Sequence, residues 1–143
     1  MLTIDANVFV SASSSVDKLN LESEEFLRRA GQRELRVYCP TLLLPEIASA
    51  IIRPTSDINA AKITLASVET FPNISFVALT DSRSHATVQI APTCRLHGAD
   101  AVYAAIVQEY GTTLITWDQE LLTRGIAAVP TLTPTDWLAA NPI

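Results

Sequence analysis

Apolar residues occur along this chain in short runs that alternate with longer amphipathic segments. The first run, LTIDANVFV at residues 2–10, is rich in β-branched residues and is followed by a group of serines. Such a run is typical of a buried strand, and strands covered on both faces belong to parallel sheets. The sequence therefore predicts that the chain opens with a central strand and that Asp5 is buried in it.

The later segments continue this alternation. Helix periodicity and end signals predict helices over residues 21–31, 42–53, 56–70, 80–92, 98–110 and 119–124, with a capped terminal turn at 133–138. Further strands are predicted at residues 35–39, 74–79 and 113–116, and a weak one at 127–129. Thr41 is expected to cap the second helix, and Gly111 to end the fifth. The pattern predicts a three-layer α/β/α sandwich with a mostly parallel central sheet, forming a single domain over residues 1–143.

Composition limits the classes of protein to consider. The chain has 143 residues, 48% of them hydrophobic, and a formal net charge of −5. A polyanionic substrate would therefore have to be reached through a local basic patch or a metal ion, because a broadly basic surface is excluded. Cys39 and Cys94 form no CxxC pair, so free thiols are the simplest interpretation, with a disulfide left open. No apolar run approaches the ~20 residues of a membrane helix, and Asp5 interrupts any signal-peptide pattern. We expect a soluble, cytoplasmic protein.

Four acidic residues occupy positions where a charge is poorly solvated. Asp5 lies in the predicted first strand, and Glu46 borders the apolar arc of its helix. Asp100 is in the first turn of a helix, on the side that carries Tyr103, and Asp118 follows an apolar strand. Ligands of open α/β sheets bind outside the carboxyl ends of the strands. We therefore expect these acids to meet at one edge of the sheet.

Each acid also has an ordinary structural interpretation. Asp100 and Asp118 could be helix N-terminal acids, Glu46 a solvated flank residue, and Asp5 the cap of a loop. Their convergence favours a functional site, although two carboxylates ~5 Å apart repel by about 3 kcal/mol at an effective dielectric constant of ~20. Mg²⁺ or Mn²⁺, which prefer oxygen ligands, would remove that repulsion. With a substrate phosphate as a further ligand, such ions activate water for phosphodiester hydrolysis.

An ordered set of motifs resembles the PIN domain family, particularly the bacterial VapC-type toxins. The motifs are LTIDANVF at residues 2–9, PTLLLPEI at 40–47, LHGADA at 96–101 and LITWD at 114–118. The resemblance covers essentially the whole chain. It implies a PIN-like fold and a Mg²⁺- or Mn²⁺-dependent endoribonuclease that acts as the toxin of a type II toxin–antitoxin pair. It also implies an RNA substrate, a homodimer and inhibition by a cognate antitoxin.

The resemblance assigns the family's acidic residues to Asp5, Glu46, Asp100 and Asp118. Asp5 and Asp100 are expected to be direct metal ligands, since one lies in a strand and the other at the start of a helix. Glu46 and Asp118 would bind a second ion, hold a water molecule bound to the metal, or orient the nucleophile. The catalytic set predicted here is therefore made entirely of carboxylates.

Several neighbouring residues have two interpretations each. Asn7 and Thr116 could hydrogen-bond the carboxylates, or be a turn former and a choice of β propensity. His97 could donate to a phosphate and Trp117 could stack on a base, although structural roles are favoured for both. A cluster of arginines could follow an RNA backbone, but the end of a solvated helix is favoured: Arg28, Arg29, Arg33 and Arg36.

Other functional classes fit the sequence less well. Its four glycines form neither a GxGxxG motif nor a P-loop, and no GxSxG elbow is present. A phosphotransfer receiver domain also gathers acids at strand ends, but its lysine at a late strand end is missing, since Lys18 and Lys62 lie early. The remaining alternative is a catalytically inactive PIN-like scaffold or protein-interaction module. Retention of four mutually repelling acids argues against it.

Overall fold

Five parallel strands form the central sheet of the protein, whose computed structural model describes residues 1–142. The strands are β1 (Leu2–Ile4), β2 (Val37–Pro40), β3 (Ile74–Val77), β4 (Thr113–Ile115) and β5 (Thr131–Leu132). The helices are α1 (Ala6–Ala12), α2 (Asn20–Gln32), α3 (Leu43–Thr55), α4 (Ile58–Glu69), α5 (Asp81–Cys94), α6 (Gly98–Tyr110), α7 (Gln119–Thr123) and α8 (Pro134–Ala140). A 3-10 helix, Gly125–Ala127, follows α7. The predicted α/β fold with a parallel sheet flanked by helices is confirmed.

The order of the strands changes direction at the middle of the sheet. The order is β3-β2-β1-β4-β5, and β1 pairs in parallel with β2 on one side and β4 on the other. The chain builds outward from β1 to β3 and then crosses to β4 and β5. The switch in direction therefore falls between β1 and β4, which is where ligands of open α/β sheets bind. Asp5 and residues 116–118 leave their strands at this point.

The first apolar run is divided between a strand and a helix, so the predicted strand over residues 2–10 is too long. β1 ends at Ile4, Asp5 keeps extended backbone angles (φ −74°, ψ 151°), and α1 begins at Ala6. Val8 and Phe9 are buried as part of the inner face of α1. Short apolar runs do not distinguish a buried strand from a buried helix, so the residues were correctly predicted to be buried but in the wrong element.

Two smaller predictions are also wrong. The weak strand at residues 127–129 overlaps the 3-10 helix, and β5 forms slightly later, where it pairs with β4. Thr41 does not cap α3, whose N-cap is Leu42 with no side-chain hydrogen bond. The predicted end of α6 at Gly111 is confirmed, because that glycine adopts a left-handed conformation (φ 62°).

The described residues settle two questions that the sequence left open. Cys39 and Cys94 are both free, and Cys39 is buried, so the simple interpretation of the cysteines is confirmed. Within residues 1–142, no helix has the length and apolar character needed to cross a bilayer.

Candidate active site

Asp5 is fixed at the sheet edge from both sides. Its backbone N–H donates to the carbonyl oxygen of Ile115 on β4 (3.0 Å), and the residue is only 8% exposed. Its Oδ2 accepts hydrogen bonds from Thr116 Oγ1 (2.6 Å) and from Asn7 Nδ2 (2.7 Å). Strand β4 and helix α1 together therefore determine the orientation of this carboxylate.

Asn7 and Thr116 connect the ends of β1 and β4. The Asn7 amide donates to Thr116 Oγ1 (3.1 Å), and its Oδ1 accepts from the backbone N–H of Trp117 (3.1 Å). Thr116 is fully buried, and its hydroxyl also accepts from the backbone N–H of Asp118 (2.9 Å). Both residues thus hydrogen-bond the carboxylate of Asp5. This is the first of the two interpretations that the sequence allowed for each of them.

Asp118 caps the helix that follows β4. Its Oδ1 accepts hydrogen bonds from the backbone N–H groups of Glu120 (2.7 Å) and Leu121 (3.0 Å) at the start of α7. The structural interpretation of Asp118 as a helix N-terminal acid is therefore correct. The same residue also lies close enough to Asp5 and Asp100 to raise the pKa of both, so it belongs to the carboxylate group as well.

Glu46 and Asp100 reach the group from two helices. Glu46 lies in the first turn of α3, and its Oε2 accepts a hydrogen bond from the hydroxyl of Tyr103 (2.7 Å). Asp100 lies in the first turn of α6 and is half-buried. Within residues 1–142 its carboxylate accepts no hydrogen bond. These two acids are therefore held more loosely than Asp5 and Asp118.

The pKa values show that the acids act on one another. Burial raises the pKa of Asp5 to about 6; the hydrogen bond from Thr116 opposes this rise, and the charges of Glu46 and Asp118 add to it. Burial likewise raises the pKa of Asp100 to about 6, reinforced by Asp118 and Asp5. The pKa of Glu46 is raised by burial and by Asp100, against the hydrogen bond from Tyr103. The four predicted acids thus form one electrostatically coupled group.

In donor chemistry the group fits a hard divalent cation. Its ligands would all be oxygens, and in the described part of the chain no lysine or arginine forms a salt bridge with any of the four acids. Within residues 1–142, no group of three or more His, Cys, Asp and Glu side chains is arranged so that it could hold a metal ion. Mg²⁺ does not require such a group, because it is usually held by one or two carboxylates, with water and substrate phosphates completing its shell.

A model of the PIN domain family matches residues 2–125 of this chain. The chain belongs to the PIN domain family. A comparison with curated protein sequences gives no match. The family assignment agrees with the ordered acidic motifs and with the position of their side chains at one edge of the sheet.

Solved structures with the same fold include VapC toxins. VapC20 from Mycobacterium tuberculosis, described as a sarcin-ricin loop cleaving toxin, has a TM-score of 0.74 at 12% identity, covering 90% of this chain and 96% of that one. VapBC2 from Rickettsia felis, bound to a DNA fragment from their promoter, has a TM-score of 0.70 at 10% identity, covering 92% and 97%. A toxin–antitoxin complex from Klebsiella pneumoniae has a TM-score of 0.67 at 15% identity, covering 94% and 98%. At these identities the likeness establishes the fold of this PIN domain.

The other residues considered from the sequence are placed as follows. Trp117 donates from Nε1 to Ser23 Oγ (2.8 Å), which supports its structural interpretation. His97 is exposed, and its Nε2 lies 3.3 Å from Oε2 of Glu120. Three members of the arginine cluster are engaged in contacts: Arg28 and Arg29 bind Glu25, and Arg33 donates to the carbonyl oxygens of Asn141 and Pro142. The fourth, Arg36, is exposed.

Sequence reasoning missed two residues of this PIN domain site. Tyr103 was placed on the core face of its helix, but its contact with Glu46 was not anticipated. A buried tyrosine hydroxyl needs a hydrogen-bond partner, and that requirement was the available signal. Glu120 raises the pKa of Asp100. Its only signal in the sequence was its place two residues after Asp118.

Proposed function

We propose that this PIN domain is a Mg²⁺- or Mn²⁺-dependent endoribonuclease that hydrolyses RNA phosphodiester bonds. In this proposal residues 1–143 form one nuclease domain, and the protein is the toxin of a toxin–antitoxin pair. The observation that carries the proposal is the placement of four acids at the carboxyl edge of the sheet: Asp5 after β1, Asp118 after β4, and Glu46 and Asp100 in the first turns of α3 and α6. The raised pKa values of Asp5, Glu46 and Asp100 agree with it. Family membership and the RNA-cleaving activity stated for the VapC20 neighbour support it.

The four acids have different roles in the proposed reaction. Asp5 and Asp100 would hold the metal ion directly, while Glu46 and Asp118 would bind it directly or through water and orient the attacking water molecule. When bound, the divalent cation neutralises charge on the scissile phosphate and lowers the pKa of water. The protein's part is to keep the carboxylates ionised and correctly placed. With pKa values of about 6, Asp5 and Asp100 are mostly ionised at neutral pH.

Asn7 and Thr116 would support this chemistry without taking part in it. Both donate to the same oxygen, Oδ2 of Asp5, so the carboxylate is oriented before a substrate arrives. Hydrogen bonds of this kind to metal-binding carboxylates are worth 10–100-fold in metal affinity or activity. Binding of a cation would also present local positive charge to RNA at a site made of acids, in a chain whose net charge is −5.

The test is cleavage of single-stranded RNA by the purified chain. We expect cleavage with Mg²⁺ or Mn²⁺, none with a chelator, and none by Asp5→Asn under any of these conditions. Asp17→Asn is the matched control, because Asp17 is an exposed loop acid. A Mg²⁺-dependent rise in Tm without cleavage would favour the inactive-scaffold alternative. An unchanged Tm, or an equal rise in Asp5→Asn, would show that the carboxylates do not share a metal ion.

The partners proposed for the chain are a cognate antitoxin and a second copy of itself. The toxin–antitoxin complex among the structural neighbours supports the first. A groove of about 380 Å³ between α1, α2 and α4 offers an apolar surface to an antitoxin segment, with Phe9, Leu27 and Ile63 among its lining residues. The product of a small neighbouring gene should bind the chain and suppress cleavage; binding without suppression would contradict the antitoxin proposal.

The second proposed partner is another copy of the chain. Sedimentation should show a dimer at micromolar concentration, and a single monomeric species would exclude the dimer.

A further inference from the structure

Tyr103 is a fully buried residue whose side chain has a single polar group, the hydroxyl. The residue is 1% exposed and lies in the main core, on the inner face of α6. Within residues 1–142, the hydroxyl of Tyr103 has one hydrogen-bond partner, Oε2 of Glu46, at 2.7 Å. A phenylalanine would fill the same core position without having to satisfy a buried hydroxyl. The hydroxyl is therefore explained by its contact with Glu46 and not by packing.

Glu46 in turn depends on this contact. In the described part of the chain, Tyr103 is the only group that donates to its carboxylate, and no basic side chain pairs with it. The charge of Asp100 acts unfavourably on Glu46, and that of Glu46 on Asp5. A glutamate has three rotatable side-chain bonds, so without a donor it would turn toward water and away from the other acids. One hydrogen bond opposes that rotation.

The position of Tyr103 couples two parts of the site. It follows Asp100 by three residues on α6, about one helical turn, so both side chains lie on similar faces of that helix. The same helix therefore presents one acid directly and orients a second acid, Glu46, on α3. Any shift of α6 relative to α3 would move both acids together.

We propose that Tyr103 is a positioning residue for the carboxylate site, and that its hydroxyl limits the rotation of Glu46, so that this carboxylate stays directed toward the other acids before a divalent cation binds. The proposal rests on the proposed function, because it assigns Tyr103 a role only toward the metal ion. Tyr103 itself contacts neither the reacting atoms nor the cation.

The test compares Tyr103→Phe with wild type by the Mg²⁺ dependence of Tm. We expect the half-saturating Mg²⁺ concentration to rise about tenfold, the size expected when one hydrogen bond to a charged group is lost. RNA cleavage should fall at low Mg²⁺ and recover at saturating Mg²⁺. Tyr38→Phe is the matched control, since Tyr38 is a half-buried tyrosine stacked on Tyr110, away from the acids; its Mg²⁺ dependence should equal that of wild type.

A second comparison separates positioning from packing. In a Glu46→Ala background, Tyr103→Phe should cause no further change in Mg²⁺ dependence, because the hydroxyl acts through Glu46. Tyr103→Phe with the same half-saturating concentration as wild type would overturn this proposal and leave the proposed function standing. An absence of any Mg²⁺ effect on wild type would overturn both. If Tyr103→Phe does not fold, a crystal structure of the wild type with Mn²⁺ tests the proposal instead. We expect the Tyr103 hydroxyl to remain hydrogen-bonded to the Glu46 carboxylate. A distance beyond about 3.5 Å between these oxygens would overturn the proposal.

Discussion

The two halves of the carboxylate site are built differently. The strand half, Asp5 and Asp118, follows directly from β1 and β4, and its oxygens accept hydrogen bonds from Thr116, Asn7 and backbone N–H groups. The helix half, Glu46 and Asp100, projects from the first turns of α3 and α6. Among the described residues it has a single hydrogen bond, from Tyr103.

This difference shows how one fold can combine rigidity with adjustment. Strand ends in the middle of a sheet cannot move without breaking backbone pairing, so the strand half provides a fixed reference. In the helix half, Tyr103 restrains Glu46, while Asp100 retains side-chain freedom, which allows its carboxylate to move away from the other acids when no cation is present and to approach them when one binds. Mutually repelling groups that were all fixed would store the whole repulsion energy in the folded protein.

The largest effect is expected for Asp100→Asn in the helix half. Cleavage of RNA should fall about a thousandfold or more, equivalent to about 4 kcal/mol of activation barrier, since a direct metal ligand is lost. The Tm of the metal-free protein should not fall, because the substitution also removes a poorly solvated charge. Cleavage assays and thermal unfolding on the same samples measure both.

Asp81→Asn is the matched control for Asp100→Asn. Asp81 is also an acid in the first turn of a helix, α5, but it is exposed. Its substitution should leave cleavage unchanged. Equal losses of activity in the two variants would show that a helix N-terminal charge, and not a metal ligand, is being measured.

A smaller effect is expected for Thr116→Val in the strand half. The change keeps the shape of the side chain but removes the donor to Asp5 and the acceptor for the backbone N–H of Asp118. We expect a 10–100-fold loss in Mg²⁺ affinity or activity, together with about 1–3 kcal/mol of stability for the groups left unpaired. Titration of Mg²⁺ against Tm and cleavage rate provides the measurement.

Thr3→Val is the control that separates the loss of stability in Thr116→Val from its loss of Mg²⁺ affinity. Thr3 is also a buried threonine, within β1, and its hydroxyl hydrogen-bonds that of Thr112 (2.7 Å). In the described part of the chain, neither hydroxyl hydrogen-bonds one of the four acids. It should lose comparable stability while keeping the wild-type response to Mg²⁺. A weakened Mg²⁺ response in Thr3→Val would mean that loss of stability alone accounts for the effect of Thr116→Val.

The smallest effect is the pH dependence of the metal-free protein. Because the pKa of Asp5 is raised from 3.8 to about 6 on folding, the folded state binds the proton more tightly, and this contribution to stability is lost as pH rises through about 6. Between about pH 5 and pH 7.5 we expect wild type to lose about 1 kcal/mol more than Asp5→Asn, in which Asp100, whose pKa is also raised to about 6, still titrates. Saturating Mg²⁺ should remove the loss, since it stabilises the ionised carboxylate. A free energy of unfolding that rises over this range in wild type relative to Asp5→Asn would contradict the assignment.

Local pattern was enough to predict most of the elements. The helix that carries Asp100 was predicted to end before Gly111, and it does, since a glycine in the left-handed conformation is a local signal. The apolar run at residues 2–10 was predicted as one strand because a short apolar run does not distinguish a strand from a helix, although Asp5, the N-cap of α1, is of a residue type favoured at that position. Only pairing with β2 and β4 ends the strand at Ile4.

The sequence by itself determined the order of the acidic motifs, the alternation of strands and helices, and the burial of the segments that carry them. Periodicity and end signals act over a few residues, which is the range at which a sequence is directly informative. Tertiary structure decided between the two interpretations of Asn7 and Thr116, and it alone brought Tyr103 to Glu46. Thr116 meets Asp5, and Tyr103 meets Glu46, across separations of 111 and 57 residues. Contacts of this kind depend on how the strands and helices pack together, and no local pattern records them.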